Sequence, residues 1–170
     1  RGSPRTDRIH LIQAQLNSGG PKAVVVNPRH HLDLKDAQII HTNAIKSTED
    51  LVDSVVRHNA IGVVEGGAGM GKTFGISFSL AMRPKLDYIW ITLPTDATAR
   101  LVSQKIVEAL TGVPPTKIER NEMLRIKAQK LLLERRPLVV IDESQNLDTK
   151  GAENVRYLHD CCGCQFPVIL

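Results

Sequence analysis

The amino-acid sequence predicts an α/β protein: a parallel sheet with helices on both faces. Three observations carry this reading. Short apolar and β-branched runs at 61–64, 88–93, 138–142 and 166–170 alternate with longer segments of helical periodicity. Each run is continuous, not alternating, as expected of strands covered on both faces. Finally, a glycine-rich stretch and an acidic pair directly follow two of the runs, at strand carboxyl ends, where open α/β sheets bind ligands.

Taken in order, residues 1–22 are polar and interrupted by Gly and Pro, which predicts an arm with a short helical stretch at Asp7–Leu16. Ala23–Val26 is a brief apolar run. Ser47 with Asp50 three residues on predicts a helix start, and Leu51, Val52, Val55 and Val56 form its apolar face. Ile61–Val64 is the first strand. The next helix runs over Lys72–Met82, apolar at Phe74, Ile76, Leu80 and Ala81 and closed by Pro84. Tyr88–Leu93, "YIWITL", is β-branched and aromatic, a second buried strand.

A helix over Asp96–Leu110 follows, with Leu101, Val102, Ile106, Ala109 and Leu110 on one side and Gly112 as its stop. "VPPTK" is a break. The helix Glu119–Glu134 carries Met123, Leu124, Leu131 and Leu132, and Pro137 precedes the third strand, "LVVID". A last helix over Gly151–Asp160 leads to a fourth strand, Phe166–Leu170. The domain division is a basic arm at 1–38 and a nucleotide-binding domain at 39–170.

Composition narrows the function classes. At 170 residues, with 42% apolar and 24% charged residues, the chain is long enough for a real core and ordinary for a globular protein. No apolar run approaches the roughly eighteen residues that would read as a membrane span. The start, "RGSPRTDRIH", has no apolar centre of the kind a signal peptide needs, so the reading is cytoplasmic, with no membrane partner. The formal charge of +4 comes from one segment: Arg1, Arg5, Arg8, Lys22, Arg29, Lys35 and Lys46 against Asp7, Asp33 and Asp36. A basic leader points to nucleic acid or an acidic partner; a solvated arm accounts for the charge equally well. Cys161, Cys162 and Cys164 are too close and odd in number for a disulfide framework. They have no second ligand pair for zinc, and a helix end stopped at Gly163 is the better account.

The chemistry concentrates in "VVEGGAGMGKTFG". Gly66, four intervening residues, Gly71, Lys72 and Thr73 match G-x-x-x-x-G-K-[ST], the phosphate-binding loop, with the required strand before it and helix after it. Ordering glycine costs more backbone freedom than ordering any other residue, so a cluster this dense needs a reason. Gly66, Gly67, Gly69 and Gly71 let successive N–H groups turn inward on a polyphosphate, where side chains would block it. Ala68 and Met70 complete the loop. The following helix offers unpaired N–H groups and its dipole to anions. Lys72 brings a positive charge to the β- and γ-phosphates, and the Thr73 hydroxyl can ligate Mg2+. With no guanine-reading N-K-x-D sequence present, ATP is the expected nucleotide.

The second constellation is "PLVVIDESQNL". Asp142 would hold Mg2+ through its water shell, because Mg2+ keeps most of its waters. Glu143 would orient and deprotonate a water attacking the γ-phosphate. Alone, two acids at a strand tip could equally be a solvated turn; the glycine loop upstream favours the catalytic reading. Glu65 reads as a surface or loop-bracing carboxylate, and Ile39–Thr42 is the candidate adenine contact.

"GGAGMGKT", then "VVIDESQNL", then "VRYLHDCCGCQFPVIL" resembles, over residues 40–170, the AAA+ ATPases of transposition: the TniB, TnsC and MuB-type helpers, which share a domain with ExeA-type secretion ATPases. The resemblance implies a three-layer P-loop NTPase fold, with Gly66–Thr73 as the Walker A loop and Asp142 and Glu143 as Walker B. It implies ATP-dependent assembly of homo-oligomers on DNA and delivery of target sites to a transposase. It also implies that the strand entering the loop lies beside Phe166–Leu170, and that sensor residue, arginine finger, a fifth strand and helical lid would come after Leu170. Left open are the same engine serving secretion or replication loading, and a signalling NTPase switch.

Overall fold

The structure, a computed structural model, describes residues 39–116, 118–161 and 165–170. The arm expected at 1–38, its helix at Asp7–Leu16, the run Ala23–Val26 and the stop at Gly163 lie outside the described residues.

Helix α1 (Asn43–His58) opens the fold. It starts a turn earlier than Ser47, because the Thr42 hydroxyl, on an extended residue, accepts the Ile45 N–H at 3.3 Å. It stops at Asn59, whose left-handed backbone (φ 48°) returns its N–H to the Val55 carbonyl. Strand β1 (Ile61–Gly62) is shorter than the apolar run, yet the pairing continues: Val64 N–H donates to the Leu170 carbonyl at 2.9 Å. After the glycine loop come α2 (Lys72–Ala81) and β2 (Tyr88–Thr92), each ending one residue before the expected boundary.

Helix α3 (Ala99–Thr111) begins three residues later than expected. Asp96 is left-handed (φ 59°), and Thr98 supplies the cap by accepting the Leu101 N–H. Gly112, at φ 73°, ends it as the sequence predicts. Next are α4 (Asn121–Arg135) and β3 (Leu138–Asp142). Helix α5 (Thr149–Asp160) starts before Gly151, since Asp148 caps it by accepting the Gly151 N–H. Strand β4 (Val168–Ile169) closes the described elements.

The four strands form one sheet in the order β1-β4-β3-β2, every pair parallel. Among the described residues five α-helices cover it, making an α/β P-loop NTPase-like fold. Alternation along the strands divides the core. Ile89, Ile91, Val139, Ile141 and Val168 face α3, α4 and α5, while Trp90, Leu138, Val140 and Ile169 face α1 and α2. Contact between α1 and β1 is close enough to select the residue at 62: a Cβ on Gly62 would lie 2.5 Å from Val55 Cγ2. Buried His159 pins the same junction, donating through Nε2 to the Asn59 carbonyl at 2.8 Å. The chain therefore enters the glycine loop from a fixed strand. Among the described residues, no helix is long and apolar enough to cross a membrane.

Candidate active site

The loop at 65–71 leaves the carboxyl end of β1 and becomes α2 without any side-chain cap. Gly71 occupies the capping position, and the first helical turn carries no acidic residue. The helix itself thus supplies no counter-charge to its first-turn N–H groups or to the positive end of its dipole. Gly69 and Gly71 have φ of 76° and 80°, in the left-handed region, and an added Cβ would meet nothing within 4 Å at either. Backbone conformation alone selects glycine at both. At Gly67 even the conformation is ordinary, and a Cβ would meet only Met70 Cγ, at 3.7 Å. The protein's own packing leaves that position open to other residues.

Lys72, first residue of α2, folds back over the loop. Its Nζ donates to the Gly66 carbonyl at 2.7 Å and the Gly67 carbonyl at 3.0 Å. The ammonium rests on exposed carbonyls, with no carboxylate partner among its hydrogen bonds, and can turn to a stronger acceptor.

The tip of β3 reaches the same place. The Thr73 hydroxyl donates to Asp142 Oδ1 at 3.3 Å, joining residues 69 apart in sequence. Burial raises the Asp142 carboxyl above the ordinary range; the Glu143 backbone N–H, at 3.1 Å, opposes this, the neighbouring Glu143 charge adds to it, and the Thr73 hydroxyl and Trp90 indole oppose it. A half-buried carboxylate beside a hydroxyl is a site where a hard cation would be welcome. Among the described residues no group of three or more His, Cys, Asp or Glu comes together. Such a donor set suits Mg2+, which takes one or two protein oxygens together with water and substrate phosphate.

Glu143 differs from its neighbour. It is exposed, adopts a left-handed backbone (φ 57°), and its Oε2 accepts a hydrogen bond from Gln145 Nε2. Adjacent acids therefore serve different surroundings, one turned to Thr73 and one open to the cleft.

That cleft holds about 1290 Å³. Gly66, Ala68, Gly69, Met70 and Gly71 line it from the loop, Lys72 and Thr73 from α2, Asp142 from the end of β3 and Glu143 from the residue after it. Gly67, expected in the loop's phosphate cradle, is not among the lining residues; its carbonyl accepts from Lys72 Nζ. Of the proposed adenine contacts, Ile39 and Ile40 line the cleft, whereas His41 packs edge-on against Phe78 at 5.2 Å and Thr42 caps α1. Glu65 is exposed on the rim. Sequence reasoning missed Phe74 and Gln145, both in the lining. Phe74 could have been found, because within the first turn of the helix the chain is still beside the loop; Gln145 carried no comparable signal.

A family model described as an AAA domain matches residues 56–170, from the end of α1 to Leu170, including both the glycine loop and Asp142–Glu143. A search of curated proteins finds no match to the chain.

Proposed function

The chain belongs to the AAA domain family of ATP-binding ATPases, and we propose that it hydrolyses ATP with Mg2+ as a DNA-transposition helper. The observation that carries the hydrolase reading is the Thr73–Asp142 contact at 3.3 Å beneath the loop. It supports a shared oxygen site at the point where a γ-phosphate on the loop would lie.

In this reading the loop N–H groups and the start of α2 bind the phosphates, and Lys72 exchanges the Gly66 and Gly67 carbonyls for phosphate oxygen. Thr73 and Asp142 would hold Mg2+, which when bound neutralises developing phosphate charge. Glu143 orients a water and takes its proton as that oxygen attacks the γ-phosphorus and the bond to the β-phosphate oxygen breaks. Ile39 and Ile40 supply an apolar wall for the base. ATP titration with and without Mg2+, followed by phosphate release, tests the reading; absence of saturable ATP binding refutes it.

The transposition role rests on the resemblance of "VVIDESQNL" and "VRYLHDCCGCQFPVIL" to the TniB, TnsC and MuB-type helpers and on the basic charge of residues 1–46. The chain would assemble with ATP into homo-oligomers on DNA and hand target sites to a transposase. Deleting residues 1–38 should weaken DNA association and flatten its salt dependence without altering ATP affinity. Unchanged DNA binding at low salt would remove the arm from the interface.

A further inference from the structure

We infer that Gln145 is a positioning residue for Glu143, holding one carboxylate oxygen so that the other is aimed at the attacking water. The inference rests on the hydrolase reading above and concerns a side chain to which the sequence assigns no role.

The contact is direct: Gln145 Nε2 donates to Glu143 Oε2, and both residues line the cleft. Its worth depends on how firmly Gln145 itself is held, since two exposed side chains on a loose loop would position nothing. Here the turn is fastened at several points. Residues Ser144–Asn146 form a 3-10 turn whose Asn146 N–H returns to the Glu143 carbonyl at 2.9 Å. Asn146 Nδ2 donates to the Leu93 carbonyl at 3.0 Å, and the Asn146 carbonyl accepts the Ala97 N–H at 2.9 Å. Ala97 in turn forms a parallel bridge with Leu147, and its carbonyl accepts the Asp148 N–H. The turn carrying Gln145 is thereby attached to the segment following β2, a part of the framework separate from Glu143's own strand.

Glu143 needs such support. Its backbone is set, by φ 57° and by its N–H on Asp142 Oδ1, but an exposed glutamate side chain samples several rotamers. One amide donor on Oε2 restricts them. It does not use up the acceptor, because an ionised carboxylate offers about four lone-pair sites. Oε1 stays available for the water, and the geometry favours support of catalysis over blockade.

The test uses the full chain with Gln145→Glu, which keeps the shape and replaces the donor with a like-charged acceptor. Turnover should fall about tenfold while the KM for ATP stays within about twofold, the loss expected when one charge-assisted hydrogen bond is removed. Gln145→Arg, retaining an N–H donor, should recover part of the loss. In the Glu143→Gln background, Gln145→Glu should cause no further loss, whereas a merely structural role would lower turnover equally in both backgrounds. Unchanged or increased turnover in Gln145→Glu overturns the inference, the latter by making the contact a restraint. A reading independent of catalysis comes from the side-chain amide resonance of Gln145, which should move on Glu143→Ala. A stationary resonance overturns the contact itself, while loss of ATP binding in the parent chain overturns the hydrolase reading and leaves the resonance result standing.

Discussion

Replacing Lys72 by alanine separates a residue that serves phosphate from one that serves the fold. In the structure its Nζ makes two hydrogen bonds, to the carbonyls of Gly66 and Gly67, and both of those residues are exposed. Water replaces the ammonium there without leaving a buried acceptor unpaired, so the stability loss should stay within about 1 kcal/mol. For a chain of this size that is a fall of roughly 2–4 °C in Tm. Against a polyphosphate the same ammonium faces charged oxygens, where a hydrogen bond contributes about 1.5–3 kcal/mol. The expected weakening of ATP binding is therefore about 10- to 150-fold. Calorimetric titration with ATP, ADP and AMP gives the pattern as well as the size: the loss should be large for ATP and small for AMP, which lacks the β- and γ-phosphates. Thermal unfolding of parent and variant supplies the control. Equal ATP affinity in the two proteins, or an equal loss for AMP, would refute the assignment of Lys72 to the phosphates. A Tm drop of more than about 10 °C would show that it instead braces the loop.

Three further outcomes follow from the same geometry. Glu143→Gln should bind ATP and Mg2+ normally and lose about 10²–10⁴-fold in turnover, measured by single-turnover phosphate release; a parental rate would mean that another group handles the water. Asp142→Asn should lose the Mg2+-induced rise in Tm and, without Mg2+, be at least as stable as the parent at neutral pH. Because folding raises the Asp142 carboxyl above its unfolded value, its contribution is fully present below the unfolded pKa and lost as pH rises through the raised folded one. The advantage of the variant should accordingly shrink on acidification, and an advantage that grows toward low pH would reverse the sign. Gly62→Ala should cost about 1–3 kcal/mol in chemical denaturation, since its Cβ would lie 2.5 Å from Cγ2 of buried Val55; a neutral result would mean that α1 shifts freely on β1.

The sequence by itself determined the local elements and the chemistry that depends on local spacing. "YIWIT" and "LVVID" are strands because continuous apolar, β-branched runs suit a sheet covered on both faces, and both are strands in the structure. Gly66 to Thr73 reads as a phosphate loop from the spacing of its glycines, Lys72 and Thr73; in the structure Gly69 and Gly71 are left-handed, a conformation that favours glycine. Helix starts were less legible. Thr42, Thr98 and Asp148 act through cap hydrogen bonds outside the apolar periodicity, and each moved a boundary. Only the tertiary structure decided what meets across the sheet. The 3.3 Å approach of Thr73 to Asp142, the raised Asp142 carboxyl, and the arrival of Ile39 and Ile40 at the cleft all follow from strand order and from two faces packing at once. Gln145 belongs there too. Its amide reaches Glu143 from a turn tied through Asn146 to the Leu93 carbonyl, 53 residues back along the chain, and no pattern of neighbouring residues encodes that distance.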